Sequence, residues 1–248
     1  MLYPAELRDQ ALRMACLALV LKTGAAFGAH PCSPGKAVDP GTAEIVAVGV
    51  AWPRGERAST GPVERLHPTQ RKPDRYERLL GFPFAPGAAE PLQIEWLRHG
   101  LAFADPGGLA EPCRAALVEA EAEARRFGRG LWARRRIERA ADPSLAKRVD
   151  RFAVVEGRIV SVGDRTRRLY LNFGTFWGQD FTVQIDKRDL KRHPELLARL
   201  GRAKGRTVRV RGRLSLRNGP FMRVRDAGQI EFQDDLPPAG AGAPLPRR

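Results

Sequence analysis

Between Ala153 and Phe232 the chain alternates apolar and polar side chains with a period of two, interrupted by one helical stretch. Leu169, Leu171 and Phe173 interleave with Arg168, Tyr170 and Asn172, and Phe181, Val183 and Ile185 with Thr182 and Gln184. Val208, Val210, Leu214 and Leu216 interleave with Arg209, Arg211 and Arg213. Successive side chains of a strand point to opposite faces, so each run is a strand with one face in a core. Ala153 to Val162 is expected to precede them as a first strand. Lys187 to Leu200 reads as a helix, and Phe221 to Val224 with Gln229 to Phe232 as a closing pair. Three strands, a helix and further strands within about 85 residues is the order of an OB-fold, a small closed Greek-key barrel.

The upstream part is less regular. Residues 4–22 open with Pro4 and acids, as a helix should. From His30 to Pro73 the chain is rich in Pro and Gly, with one strand-like run, Ile45 to Trp52. Tyr76 to Phe84 is expected as a strand, followed by a turn at Pro86-Gly87. Leu92 to Leu101 reads as a short helix closed by Gly100, and Leu109 to Phe127 as a longer one ended by Gly128. Gly130-Leu131-Trp132 then brings an apolar plug back to the core. Arg134 to Asp150 is a charged connector and the expected domain boundary, and a Pro/Gly/Ala-rich tail from Pro237 is expected to be disordered.

Lys and Arg number 43 against 28 Asp and Glu, a net charge of +15. Residues 150–235 carry 19 basic against 11 acidic residues, an excess of eight. Such a balance favours polyanions, whose condensed counterions are released on binding. The cysteines (Cys16, Cys32, Cys113) and the four histidines are scattered, with no CxxC or HExxH pattern, which argues against a zinc site and a disulfide scaffold. No apolar run approaches the ~20 residues a bilayer span needs. The apolar run Met14 to Leu21 after Arg8 and Arg13 loosely resembles an export signal, but Glu6, Asp9 and Lys22 favour an ordinary helix. The compartment, cytoplasmic or exported, stays open.

Asp74-Arg75-Tyr76-Glu77-Arg78-Leu79-Leu80-Gly81 resembles the DRYGR stretch of the staphylococcal-nuclease (thermonuclease) family. Three further marks follow in order: Leu97-Arg98-His99-Gly100-Leu101-Ala102, the Ala/Glu-rich run Glu119 to Arg125, and Gly128-Arg129-Gly130-Leu131-Trp132-Ala133. They cover about residues 63–133, the C-terminal half of that fold. Val155-Glu156-Gly157-Arg158, Tyr170 to Gly174, Asp180 to Val183 and Arg217-Asn218-Gly219-Pro220 are similar to motifs of an extra domain in some bacterial relatives. The resemblance implies an α+β chain of β-barrels with helices. A partial nuclease-like OB-type domain over residues 1–140 would be followed by an OB-fold domain over 151–235 and a tail over 236–248.

In that family carboxylates hold Ca²⁺, a glutamate serves the attacking water, and two arginines grip the phosphate. Here the resemblance carries Arg78 and Tyr76 over as phosphate-contacting residues, with Arg75 beside them; a planar guanidinium suits bidentate phosphate contact. A surface ion pair of Arg78 with Asp74 or Glu77 is the alternative. Glu77 stands where the family has glycine. The R-L-x-G-x-D-x-P-E segment is absent between Met1 and Pro73, and only Asp39 and Glu44 stand near an early metal-binding turn. If the helix at 4–22 replaces the family's first helix, residues 23–62 become an insertion without the first strands. In the barrel, Arg168, Tyr170 and Asn172 share one strand face and Arg209, Arg211 and Arg213 another, a pattern suited to backbone tracking with base stacking. The expected partner is DNA or RNA, with Ca²⁺ needed only if the chain is active and no small-molecule cofactor. Three readings stay open: a nucleic-acid binder with weak or lost hydrolysis, a Ca²⁺-dependent nuclease with unrecognised ligands, and a protein-interaction scaffold.

Overall fold

The irregular upstream stretch does form sheet. In the computed structural model, which describes residues 30–33, 35–53, 61–176 and 178–235, Ile45–Ala47 (β1) pairs in parallel with Leu79–Phe84 (β4). Val50–Ala51 (β2) pairs with a later strand, and Arg65–Pro68 (β3) runs antiparallel to β4. Residues 23–62 are therefore not a mere insertion, because β1 and β2 supply sheet neighbours. The helix expected over 4–22 and the tail from Pro237 lie outside the described residues.

Two helices cover this sheet. Leu92–Arg98 (α1) buries Ile94, Trp96 and Leu97, and its buried Gln93 donates through Nε2 to the carbonyls of Val48 and Gly81, both at 3.1 Å. Phe103–Ala104 (β5) pairs with β2. Glu111–Arg126 (α2) starts with a proline in its first turn and buries Cys113, Leu117, Ala120, Glu121 and Ala124, a stripe at helical spacing. Phe82, Phe84, Ile94, Leu97 and Leu117 form the core between helices and sheet. Within it Cys32 and Cys113 are joined by a disulfide, their Cα atoms 4.7 Å apart. The scattered cysteines argue against a disulfide scaffold, yet this one bond forms: 81 residues of separation leave no local motif, and only the fold brings the two together.

Two of the family-like marks are one contact. Gly100 (φ +66°) and Gly130 (φ +52°) lie against each other, and the Leu131 N–H donates to the Gly100 carbonyl at 2.8 Å. A Cβ on Gly100 would sit 2.2 Å from the Arg129 carbonyl oxygen, and one on Gly130 2.4 Å from that of Gly100. Only glycine fits both places. Trp132, in a short 3-10 helix over Gly130–Ala133, is thereby buried against Phe103, with ring centroids 5.6 Å apart.

The alternating runs build one curled sheet. Its strands are Glu138–Arg139 (β6), Phe152–Arg158 (β7), Ser161–Asp164 (β8), Arg168–Asn172 (β9), Thr182–Asp186 (β10), Thr207–Leu216 (β11), Pro220–Val224 (β12) and Ile230–Phe232 (β13). Seven run in the order β6-β7-β11-β12-β10-β9-β8, and β13 pairs with β11. The strand expected over 153–162 is broken at Ile159–Val160, so that β7 pairs with β11 and β8 with β9. One chain segment thus reaches both sides of an OB-like barrel. The parallel pairing of β10 with β12 completes the circuit. Val155, Leu171, Val183, Val210, Leu214 and Val224 fill its interior.

Two boundaries differ from expectation. The helix before β11 is confined to Pro194–Gly201 (α3), because proline ends the turns before it and occupies the first helical position. The charged connector is structured: β6 pairs in parallel with β7, and Leu145 is fully buried in the barrel core. A strand of two residues has no readable period.

Candidate nucleic-acid interface

The turn before β4 holds the first set of candidates. The strand begins at Leu79, not Tyr76, so Arg75, Tyr76 and Arg78 sit on a loop. Asp74 organises it. One carboxylate oxygen accepts the N–H groups of Tyr76 at 2.9 Å and Arg78 at 3.1 Å, and the other accepts Arg78 Nε at 3.0 Å and Nη2 at 2.7 Å. The chain closes on Glu77 at φ +59°, a left-handed conformation that glycine adopts without strain. Tyr76 is exposed, with the Arg75 guanidinium 4.7 Å and that of Arg78 5.0 Å from its ring centre.

The Arg78 hydrogen bond holds the Asp74 carboxyl down at about 2, helped by the two backbone N–H groups. Reciprocally, Asp74 first and Glu44 more weakly hold the Arg78 guanidinium above the usual arginine value. A depressed folded pKa means that the Asp74 contribution is complete above the unfolded carboxylate's value near ~3.9 and is lost as pH falls through about 2. Carbon-detected NMR titration should place the Asp74 midpoint near 2, and Arg78→Ala should return it to the ordinary aspartate range. An ordinary midpoint in the unaltered protein would refute the ion pair.

The same loop does not assemble a calcium site. Asp39 spends an oxygen on the Gly41 N–H at 2.9 Å in an exposed turn, and Glu44 and Asp74 both act on Arg78. Among the described residues no three His, Cys, Asp or Glu side chains gather as metal ligands. This donor set does not fit a calcium ion.

The arginine row of β11 divides. Alternation does place Arg209, Arg211 and Arg213 on the outer face, but α2 and β5 cover that face at Arg211, so the three do not form one exposed row as expected. Arg211 is fully buried; Nη1 donates to Glu121 Oε2 at 2.9 Å and to the Ala104 carbonyl at 3.1 Å, and Nη2 donates to Glu231 Oε1 at 2.9 Å. Burial pulls the guanidinium toward neutrality, yet Glu121 and Glu231 outweigh it and hold its pKa above the ordinary value. The other Glu121 oxygen accepts the Ala104 N–H at 2.9 Å. Arg209 is paired with Glu156 at 2.7 Å, and only Arg213 remains exposed.

A groove on the barrel's outer face keeps the β9 candidates. Tyr170 and Asn172 line an open cavity of about 750 Å³, with Thr182 and Gln184 beside them on β10 and Phe221 on β12. The registers Tyr170 with Gln184, Asn172 with Thr182 and Thr182 with Phe221 put these side chains in adjacent rows. Arg165, Lys204 and Arg217 supply three cations, and no carboxylate lines the cavity. Asn172 Nδ2 donates to Ser161 Oγ at 3.0 Å, while Gln184 Oε1 is buried with no partner. Arg168 stands aside: the Tyr170 hydroxyl, then Asp186 at 3.2 Å, hold its guanidinium above its usual pKa. Sequence reading missed Arg165, Lys204, Gln184, Arg217 and Phe221. The available signal was position: Arg165 and Arg217 stand in the β8–β9 and β11–β12 turns, the loops with which OB barrels bind oligomers.

Among the described residues no helix is long and apolar enough to cross a membrane. Neither a protein-family model nor a curated protein matches the chain. Solved structures are similar to parts of it at low identity. A protein described as an aspartyl-tRNA synthetase from Leishmania major Friedlin has TM-score 0.31 and 12% identity, covering 40% of this chain and 21% of its own. The S. pombe Stn1–Ten1 complex has TM-score 0.26 and 16% identity, covering 34% and 59%. OBody AM1L10, bound to hen egg-white lysozyme, has TM-score 0.27 and 17% identity, covering 35% and 83%. The chain spans about a fifth of the synthetase's length.

Proposed function

We propose that this is a thermonuclease-like protein that binds single strands of DNA or RNA through the groove of its C-terminal barrel, with phosphodiester hydrolysis weak or lost. The single observation behind the reading is the groove's composition: three cations, two aromatic rings and side-chain amides, without a carboxylate. Cations track the phosphates, every base offers a face to stack, and a buried carbonyl oxygen such as Gln184 Oε1 accepts from a base amino group or a hydroxyl. The two-part organisation, a partial nuclease-like unit followed by an OB barrel, belongs to the same proposal. The Gly100–Gly130 contact supports it by giving two of the family-like marks one structural reason. The expectation of weak hydrolysis rests on the donor set: among the described residues no three His, Cys, Asp or Glu side chains gather as metal ligands.

Fluorescence anisotropy with labelled single-stranded oligonucleotides tests it. Affinity should fall steeply between about 50 and 200 mM salt. Tyr170→Ala should weaken binding by about 5- to 150-fold, the range for loss of one stacked base. Arg217→Ala should lower the salt slope by ~0.7, one phosphate's worth on a single strand. The same oligonucleotide incubated with Ca²⁺ should survive largely intact. No binding at low salt would remove the binding reading; rapid Ca²⁺-dependent cleavage would replace it with the active nuclease.

A further inference from the structure

We propose that a bound single strand does not end in the barrel groove but crosses the outer face of β12 and β11 into a second, arginine-lined cleft where the barrel meets the upstream sheet. The proposal rests on the groove reading above. The cleft measures about 1220 Å³, and Arg151, Arg213, Arg223 and Arg225 line it together with Trp52 and Phe152.

Strand register connects the two places. Tyr170 pairs with Gln184, and Gln184 with Arg223. Leu214 opposite Met222 puts Arg213 across from Arg223 on the outer face. One row of side chains therefore runs from the groove to the cleft, Tyr170, Gln184, Arg223, Arg213, crossing three strand spacings, about 14 Å. Phe221 and Arg223 alternate with core residues on β12, so groove and cleft are consecutive stations on one face.

Charge continues along the path. Arg151 and Arg225 are exposed, and no carboxylate among the described residues pairs with either. The Arg213 head donates to the Asp150 carbonyl, which anchors it without neutralising it. Arg223 is shared between Asp186 and Asp189, and its buried Nε has no partner. Two acids line the cleft, Asp105 and Asp150, against four guanidiniums. Burial pushes the Asp105 carboxyl up from its ordinary value. Trp52 and Phe152 are half-buried and give the cleft faces on which bases can stack. Phosphate contact and stacking at both ends suit a flexible single strand better than a duplex, whose bases are already stacked.

Length dependence tests this on the full chain. Oligonucleotides of about four and about twelve nucleotides bracket occupation of the groove alone and of the whole path. The longer one should bind more tightly and quench Trp52, with Trp52→Phe assigning the signal. Arg151→Ala with Arg225→Ala should weaken the longer by about tenfold or more and lower its salt slope by ~1.4, leaving the shorter within about twofold. Both arginines are exposed, so an unchanged melting temperature is expected and checks the fold. Equal affinities for the two lengths, or a double variant matching the unaltered protein on the longer, overturn the extended path while leaving the groove standing. Binding of neither length overturns both.

Discussion

Arg211→Ala is expected to destabilise the protein by about 3–5 kcal/mol, the cost of breaking a buried ion pair from one side. The guanidinium is fully buried and joins three elements: α2 through Glu121, β5 through the Ala104 carbonyl, and β13 through Glu231. Removing it leaves Glu121, itself fully buried, facing a cavity with one oxygen still held by the Ala104 N–H. Arg125 Nη1 lies 3.6 Å from the same carboxylate without a hydrogen bond, so it compensates only in part. The comparison that isolates the charge is Arg211→Met combined with Glu121→Gln. The amide oxygen can still accept from Ala104 and no fully buried ion is left unpaired, since Glu231 and Arg125 are partly exposed, so the pair should recover part of the loss. Urea unfolding followed by tryptophan fluorescence measures both. A loss below ~1 kcal/mol for Arg211→Ala would mean that water reaches the guanidinium and the two layers are not packed as described.

The second large effect belongs to the disulfide. Cys32 and Cys113 close a loop with 81 residues of sequence separation. On the chain-entropy view a crosslink of that span restricts the unfolded ensemble by about 4–5 kcal/mol. Cys32→Ala with Cys113→Ala should therefore lower the unfolding free energy by about 2–5 kcal/mol. The bond ties the segment leading into β1 onto α2, within the core of Phe82, Ile94 and Leu117. Denatured, unreduced protein should titrate one thiol of its three cysteines. Three titratable thiols, or a double variant as stable as the unaltered chain, would contradict the bond.

How far these features could be read from the sequence depended on whether their cause was local. One-sided burial makes a period of two, so β9, β10 and β11 were legible, and with them the face carrying Tyr170 and Asn172. Periodicity assigns side chains to faces but does not tell what covers a face. Arg209, Arg211 and Arg213 were placed correctly on the outside of β11, yet α2 lies on that outside. Glu121 held the missing clue: an acid on the apolar stripe of a helix needs a cation opposite. The break at Ile159–Val160 stayed hidden because apolar residues continue through it. At Arg78 the ion pair with Asp74, one of the two alternatives legible in the sequence, is present. The short strand β6 and the disulfide depend on contacts distant in sequence and left no local trace.

The burial of β11 bears on how this protein is dissected. Excising residues 151–235 as a free-standing fragment would strip away Glu121 and the Ala104 carbonyl, leaving Arg211 facing water. It would also uncover Phe152 and Val154, which now pack near Trp132 and Phe103. Such a fragment acquires a cationic strand that the intact molecule keeps inside, and its retention on heparin or DNA would report the cut surface instead of the native groove.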